Sequence, residues 1–222
     1  MKLQKLFNVL SSINLKTIYF NFKYLNIKQA IYFPIFISKN VKLIKTNGSV
    51  EIKREIRPGI IKIGFGAVNI FDKKYSRAIW EVEGKVVFNG IANIGHGSKI
   101  SVGTNGTLII GNNLNITAES TIICWKKVSI GDNCLFSWDT LFMDTDFHTI
   151  SDIKGFRINN DKMILIGNNT FVGCRSIILK GSIIPNNTTI AANSVVRGKF
   201  RNENSIISGN PAKVVLKGIK WS

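Results

Sequence analysis

From Ile166 the chain reads IGNNTF VGCRSI ILKGSI IPNNTT IAANSV VRGKFR, and Ile166, Val172, Ile178, Ile184, Ile190 and Val196 stand six residues apart without a slip. Four positions after each of the first five come Thr170, Ser176, Ser182, Thr188 and Ser194, all small hydroxyl residues. Gly167, Gly173 and Ala191 directly follow their aliphatic neighbours. A helix cannot use this spacing, because six residues are one and two-thirds turns and would scatter the apolar positions around it. Short strands joined by sharp bends can. One aliphatic per side points inward, a small residue fits near the corner, and Gly or Asn takes the tight bend. Stacked coils of this kind bury one continuous core.

The period returns upstream with interruptions. Val82, Phe88, Ile94 and Ile100 are six apart, Ile110, Ile116, Ile122 and Val128 follow after a phase shift, and Ile130, Phe136 and Phe142 after another. The fold class is therefore an all-β solenoid with a small basic cap containing helix at its N-terminal end. The reading places the cap, helix plus the strand-like KLIKTNGSVEIK, at 1–59, the solenoid at 60–200 and a C-terminal tail packing back on the coils at 201–222. Residues 151–164, SDIKGFRINNDKMI, lack the hexad pattern and read as a loop leaving the coil.

A length of 222 residues suffices to bury a core as one domain. Cys124, Cys134 and Cys174 are odd in number and show no C-x-x-C pairing, which argues against a disulfide framework or zinc knuckle and fits a reducing compartment. The opening MKLQKLFNVLSSINLK has basic residues before an apolar patch, yet Asn8, Ser11, Ser12 and Asn14 interrupt it and no small-x-small cleavage site follows. Leu3, Leu6, Phe7, Leu10 and Ile13 instead recur at helical spacing. Lys23 and Lys28 break the next apolar stretch, so no membrane span is expected, and the protein reads as cytoplasmic.

Formal net charge is +17, and residues 1–57 hold eleven Lys and Arg against only Glu51 and Glu55. A solvated lysine-rich face accounts for this charge. So does peripheral contact with anionic lipid at the inner face of the cell membrane. Nucleic acid is not expected as a partner.

The segment FMDTDFHTI holds His148, one of two histidines, preceded at two-residue steps by Asp146 and Asp144. In an extended chain these three side chains share one face. Asp146 would lie roughly 7 Å along the strand from His148 and Asp144 about twice that. A neutral imidazole is suited to taking a proton near neutral pH, and a nearby carboxylate can fix its tautomer. His96, two after Ile94, falls at a normally outward position with no carboxylate near in sequence, and a solvent-facing or packing role is expected there.

These hexads resemble those of the left-handed parallel β-helix acyltransferases, the hexapeptide-repeat family, over roughly residues 60–216. The tail SGNPAKVV resembles that family's closing motif, and SWDTLFMDTDFHTI with GNPAK is most similar to O-acetyltransferases of bacterial surface-polysaccharide synthesis. The resemblance implies a three-sided coil, a homotrimer with sites between adjacent subunits, acetyl-CoA as donor and a sugar hydroxyl as acceptor, with His148 as general base. Asp146 is the better orienting candidate and Asp144 could hold the acceptor. It also implies pantetheine contacts at Gly173, Cys174 and Ala192, with Arg197 and Lys213 as cations for the phosphates. The chain departs from the usual pattern at VVRGKF, where Arg197 replaces the common Thr and Gly198 the common Lys, so that Lys199 becomes a substitute cation; Phe171 stands where Trp is frequent. Trp138, Asp139 and Trp125 are acceptor candidates, since aromatic faces and carboxylates suit sugars. The carbonic anhydrases that share this solenoid bind zinc through three histidines, more than this chain has, so no metal is expected. Transfer to an amino group and a non-catalytic scaffold are the competing readings.

Overall fold

The computed structural model describes residues 13–221. Its body is a parallel β-helix of three-strand coils. The first coil comprises β1 (Ile35–Ile37), β2 (Lys42–Thr46) and β3 (Ser49–Ile52), and the second β4 (Ile61–Phe65), β5 (Ile79–Val82) and β6 (Lys85–Phe88). The third holds β7 (Ala92–His96), β8 (Lys99–Val102) and β9 (Thr107–Ile110), and the fourth β10 (Leu114–Ala118), β11 (Thr121–Cys124) and β12 (Lys127–Ile130). In the fifth are β13 (Leu135–Phe136), β14 (Leu141–Met143) and β15 (Ile164–Ile166), and in the sixth β16 (Phe171–Val172), β17 (Ile177–Leu179) and β18 (Ile183–Ile184). β19 (Thr188–Ile190) and β20 (Val195–Val196) begin the last turn, before β21 (Ser205–Gly209) and β22 (Ala212–Lys217). Corresponding strands stack into three sheets, here A (from β1), B (from β2) and C (from β3).

The hexad residues are the core because the register superposes them. Ile94, Ile116, Phe136, Val172, Ile190 and Ile207 pair in succession along sheet A, and Ile100, Ile122, Phe142, Ile178 and Val196 along sheet B. All are buried. The buried corner hydroxyls donate to main-chain carbonyls at the bends: Thr170 to Gly167 at 2.8 Å, Ser182 to Leu179 at 2.6 Å and Ser194 to Ala191 at 2.7 Å. Each such bond contributes about 1 kcal/mol and leaves no buried hydroxyl unpaired at that bend. At the edge between sheets C and A, Asn113, Asn133, Asn169, Asn187 and Asn204 all adopt positive φ, the conformation that the bend demands and that Asn tolerates.

Three boundaries differ from the sequence reading. β1–β3 pair in parallel with β4–β6, so strands assigned to the cap form the first coil and the winding starts at Ile35. The long excursion leaves the coil at Asp144, directly after β14, rather than at Ser151. A further excursion, 66–78, separates β4 from β5. The helical spacing of Leu3, Leu6, Phe7 and Leu10 lies outside the described residues.

Helix α1 (Leu15–Tyr24) covers the open edge of β1, followed by the single turn α2 (Ile27–Ala30). An edge strand presents unpaired N–H and C=O groups. Thr17 Oγ1 donates to the Ile37 carbonyl and accepts from its N–H at 3.0 Å. Asn21 does the same for Ile35, at 2.7 and 3.2 Å. Asn14, whose side chain caps the helix, also reaches the Ile37 carbonyl. At the other end β21 extends sheet A and β22 folds back antiparallel upon it, while the Trp221 indole donates to the Asn169 carbonyl at 2.6 Å.

Candidate active site

The chain turns where an extended segment was expected. Asp144 is fully buried, and its carboxylate accepts from the N–H groups of Trp125, Lys126 and Lys127 at 2.7, 2.8 and 2.7 Å. Trp125 and Lys126 form the bend between β11 and β12 and Lys127 opens β12, and buried donors need acceptors. Asp144 therefore does not share a face with His148. Phe147 has φ 60, and the His148 N–H donates to the Asp146 carbonyl at 2.7 Å, a tight reversal that carries His148 away from the coil.

Asp146 is held by Lys180 Nζ at 2.5 Å and Asn159 Nδ2 at 2.9 Å. The hydrogen bond from Lys180, then that from Asn159, hold its carboxyl below the usual carboxylate range. Asn159, nine-tenths buried, joins the whole turn: Nδ2 also donates to the His148 carbonyl at 2.7 Å and Oδ1 accepts from the Ile150 N–H at 2.7 Å. Lys180 donates to the Asn159 carbonyl at 2.8 Å. Trp125 packs edge-on against Phe147, ring centroids 4.9 Å apart. The His148 ring itself is exposed and makes no hydrogen bond among the described residues. Asp146 thus fixes the main chain around His148 rather than its imidazole. An exposed imidazole on a clamped turn can accept a proton from a bound hydroxyl.

Asn159 and Lys180 were not singled out by the sequence. Lys180 occupies an outward hexad position, a weak signal in a lysine-rich chain, and Asn159 lies in the non-repeating stretch, where spacing carries no information.

The remaining candidates fall on two edges of the solenoid. Arg197 lies with the His148 turn on the edge between sheets B and C. There, Arg197, Lys180 and Lys162 line a groove of about 300 Å³ against Asp146, and with Lys126 and Lys199 an adjoining one of about 520 Å³. Trp138, Asp139, Gly173, Cys174 and Ala192 stack instead on the edge between sheets A and B. Arg175 bonds to the Trp138 carbonyl and lies 3.7 Å from Asp139, an exposed pair of little energetic weight. A side chain at Gly173 would strike the Ala192 main chain, so the two coils approach closely. Lys213 sits apart from both groups, on β22. Sheet B separates the two edges, and a single chain does not bring His148 to Gly173 or Cys174.

His96 is buried rather than outward-facing. Its Nε2 accepts from the Val68 N–H at 3.1 Å, and Nδ1 lies 2.9 Å from Ser76 Oγ, which donates to Glu119. The carboxylate absent nearby in sequence arrives from the next coil, and the cluster pins the 66–78 excursion. Burial, the largest cause, pushes the His96 pKa down. Burial likewise pushes the Cys124 and Cys134 thiols up to about 12 and about 11, leaving them unreactive. Among the described residues no group of three or more His, Cys, Asp or Glu is placed to hold a metal ion.

The family profile of the bacterial transferase hexapeptide (six repeats) matches residues 163–198. A putative lipopolysaccharide biosynthesis O-acetyl transferase of Escherichia coli (strain K12), WbbJ, is 26% identical over 61% of this chain and 73% of its own length. A polysialic acid O-acetyltransferase of Neisseria meningitidis is 38% identical over 46% of this chain and 48% of its own length. Among solved structures, the polySia-specific acetyltransferase NeuO superposes with a TM-score of 0.58 at 23% identity, covering 85% of this chain and 81% of that one. This likeness shows the fold, a left-handed β-helix.

Proposed function

We propose that this chain, one of the hexapeptide-repeat acetyltransferases, moves an acetyl group from acetyl-CoA to a sugar hydroxyl of a bacterial surface polysaccharide, with His148 as general base. The observation that carries the reading is the exposed imidazole, free of hydrogen bonds among the described residues, on a turn clamped by Asn159, Asp146 and Lys180. Acetyl-CoA supplies an activated thioester, so no covalent enzyme intermediate is required. His148 takes the proton as the acceptor oxygen attacks the carbonyl, and the departing thiolate is protonated as CoA leaves. Asp144 keeps the underlying bend in place, and Asp146 holds the turn.

The two-edge arrangement supports a site completed by a neighbouring copy in a homotrimer. One copy offers His148, Trp125 and the cations Arg197 and Lys199 for phosphate groups; the adjacent copy offers Gly173, Cys174 and Ala192 for the pantetheine arm, with Trp138 and Asp139 toward the acceptor. Lys213, on β22, is left without a role in this arrangement. No described helix is long and apolar enough to cross a membrane. The basic N-terminal region favours a place at the inner membrane face, where lipid-linked glycans are presented. Release of free CoA thiol from acetyl-CoA, measured across a panel of sugars, nucleotide-sugars and polysaccharides, tests the reading. Acceptor-dependent release is expected, and release insensitive to every acceptor opposes it.

A further inference from the structure

Helix α1 is amphipathic in the reverse sense. Its inward side carries Thr17 and Asn21, which serve the β1 edge, beside Phe20. Its outward side carries Leu15, Ile18, Tyr19 and Phe22, exposed by 85, 40, 48 and 46%. These four positions, at i, i+3, i+4 and i+7, form one stripe. Beyond α1, Ile27, Ile31 and Tyr32 are exposed as well, by 69, 54 and 54%. The cause is local: polar side chains are needed to satisfy an open strand edge, so the apolar residues that make the segment helical are left facing out. An apolar stripe of this extent marks a contact surface.

Charge identifies the partner. Lys23 flanks the stripe on one side of α1 and Lys28 lies beside Ile27, both exposed, whereas Lys16 turns back to donate to the Lys39 and Val41 carbonyls; no Asp or Glu occurs before Glu51. An apolar stripe bordered by lysines, without carboxylates, has the chemistry of a helix lying in the headgroup region of an anionic bilayer. We infer that the outward face of α1 and α2 docks on an anionic lipid membrane, laying the solenoid's N-terminal end against the lipid. The inference rests on the membrane location proposed above and gives it a surface. Exposed apolar side chains supply the insertion, and the lysines select anionic headgroups.

Co-sedimentation of the full chain with phosphatidylcholine vesicles, with and without phosphatidylglycerol, tests this. Binding is expected only with phosphatidylglycerol, weakening as salt is raised. Ile18→Glu with Phe22→Glu should abolish it, and Lys23→Gln with Lys28→Gln should weaken it about thirtyfold. Both lysines are exposed, so the second variant keeps its fold even if the first does not. Absent binding, equal binding to neutral vesicles, or unchanged binding by the lysine variant overturns the inference. So does a wild type that ignores vesicles while Ile18→Glu with Phe22→Glu lowers its mass in light scattering, which would assign the face to a second copy. CoA release with a soluble acceptor, run alongside, reports on the acetyltransferase reading independently of vesicle binding.

Discussion

The Asn159 side chain donates to the main-chain carbonyl of His148 at 2.7 Å, so the residue proposed as base is positioned through its backbone. The same amide group reaches Asp146, and the amide oxygen receives the Ile150 N–H. Asn159→Ala removes all three bonds. Loss of kcat by about 10²-fold is expected, since small misplacements of a reacting group have effects of that size, with KM for acetyl-CoA nearly unchanged. Steady-state kinetics with varied acetyl-CoA checks it, and an unaltered kcat would show that the clamp is dispensable.

Asp144 is predicted to matter for stability before chemistry. Asp144→Ala orphans three N–H groups at the β11–β12 bend, and breaking a buried, charge-assisted set should destabilise the protein by about 3–5 kcal/mol. Urea denaturation measures this directly. A midpoint equal to wild type would contradict the role assigned to the carboxylate.

Acid should loosen the turn late. Lys180 first, then Asn159, lower the Asp146 pKa, so the folded state holds this proton less tightly than the unfolded chain. The contribution is fully present above the ordinary Asp value of about 3.9 and is lost as pH falls through the lower folded value. Hydrogen exchange at residues 146–150 should therefore stay slow down to that range. Lys180→Met should move the onset of fast exchange to higher pH.

His96 works in a different window. Its folded pKa is depressed by burial, so its contribution is present above the ordinary value of about 6.5 and is lost as pH falls below it. Glu119, Lys99, Lys73 and Ser76 surround it, and only its neutral ring can accept from Val68. Urea midpoints should fall on acidification below that value in wild type and less steeply in His96→Phe.

The hexads from Ile166 announced their coil because its bends are short, and the aliphatic residues that recur in sequence are those that stack in space. Upstream, successive core residues such as Ile94 and Ile116 are separated by longer bends, so the same stacking reached the sequence only as broken runs. The first coil reads only as strands within the cap, because β2 carries Lys42 and Lys45 and β1–β3 keep no hexad phase. His148 stood out through scarcity. Asp144 was misread because its partners are main-chain N–H groups of another coil, which have no side-chain signature. Asn159 and Lys180 meet only after the excursion folds back on the coil, and α1 was obscured because its polar residues face inward.

A site shared between copies predicts complementation. His148→Ala alters the edge between sheets B and C, and Cys174→Phe would crowd the edge between A and B. Each alone should be nearly inactive, while co-expressed copies should recover activity through mixed sites with both edges intact. Recovery no greater than the sum of the separate variants would argue for a site within one chain.

The most direct test of the central claim compares wild type with His148→Ala for acetyl transfer to a glycan acceptor that the wild type uses, with acetyl-CoA binding measured on both. The expected result for His148→Ala is a rate lower by about 10²–10⁴ with acetyl-CoA affinity preserved. Transfer at the wild-type rate by His148→Ala would contradict it.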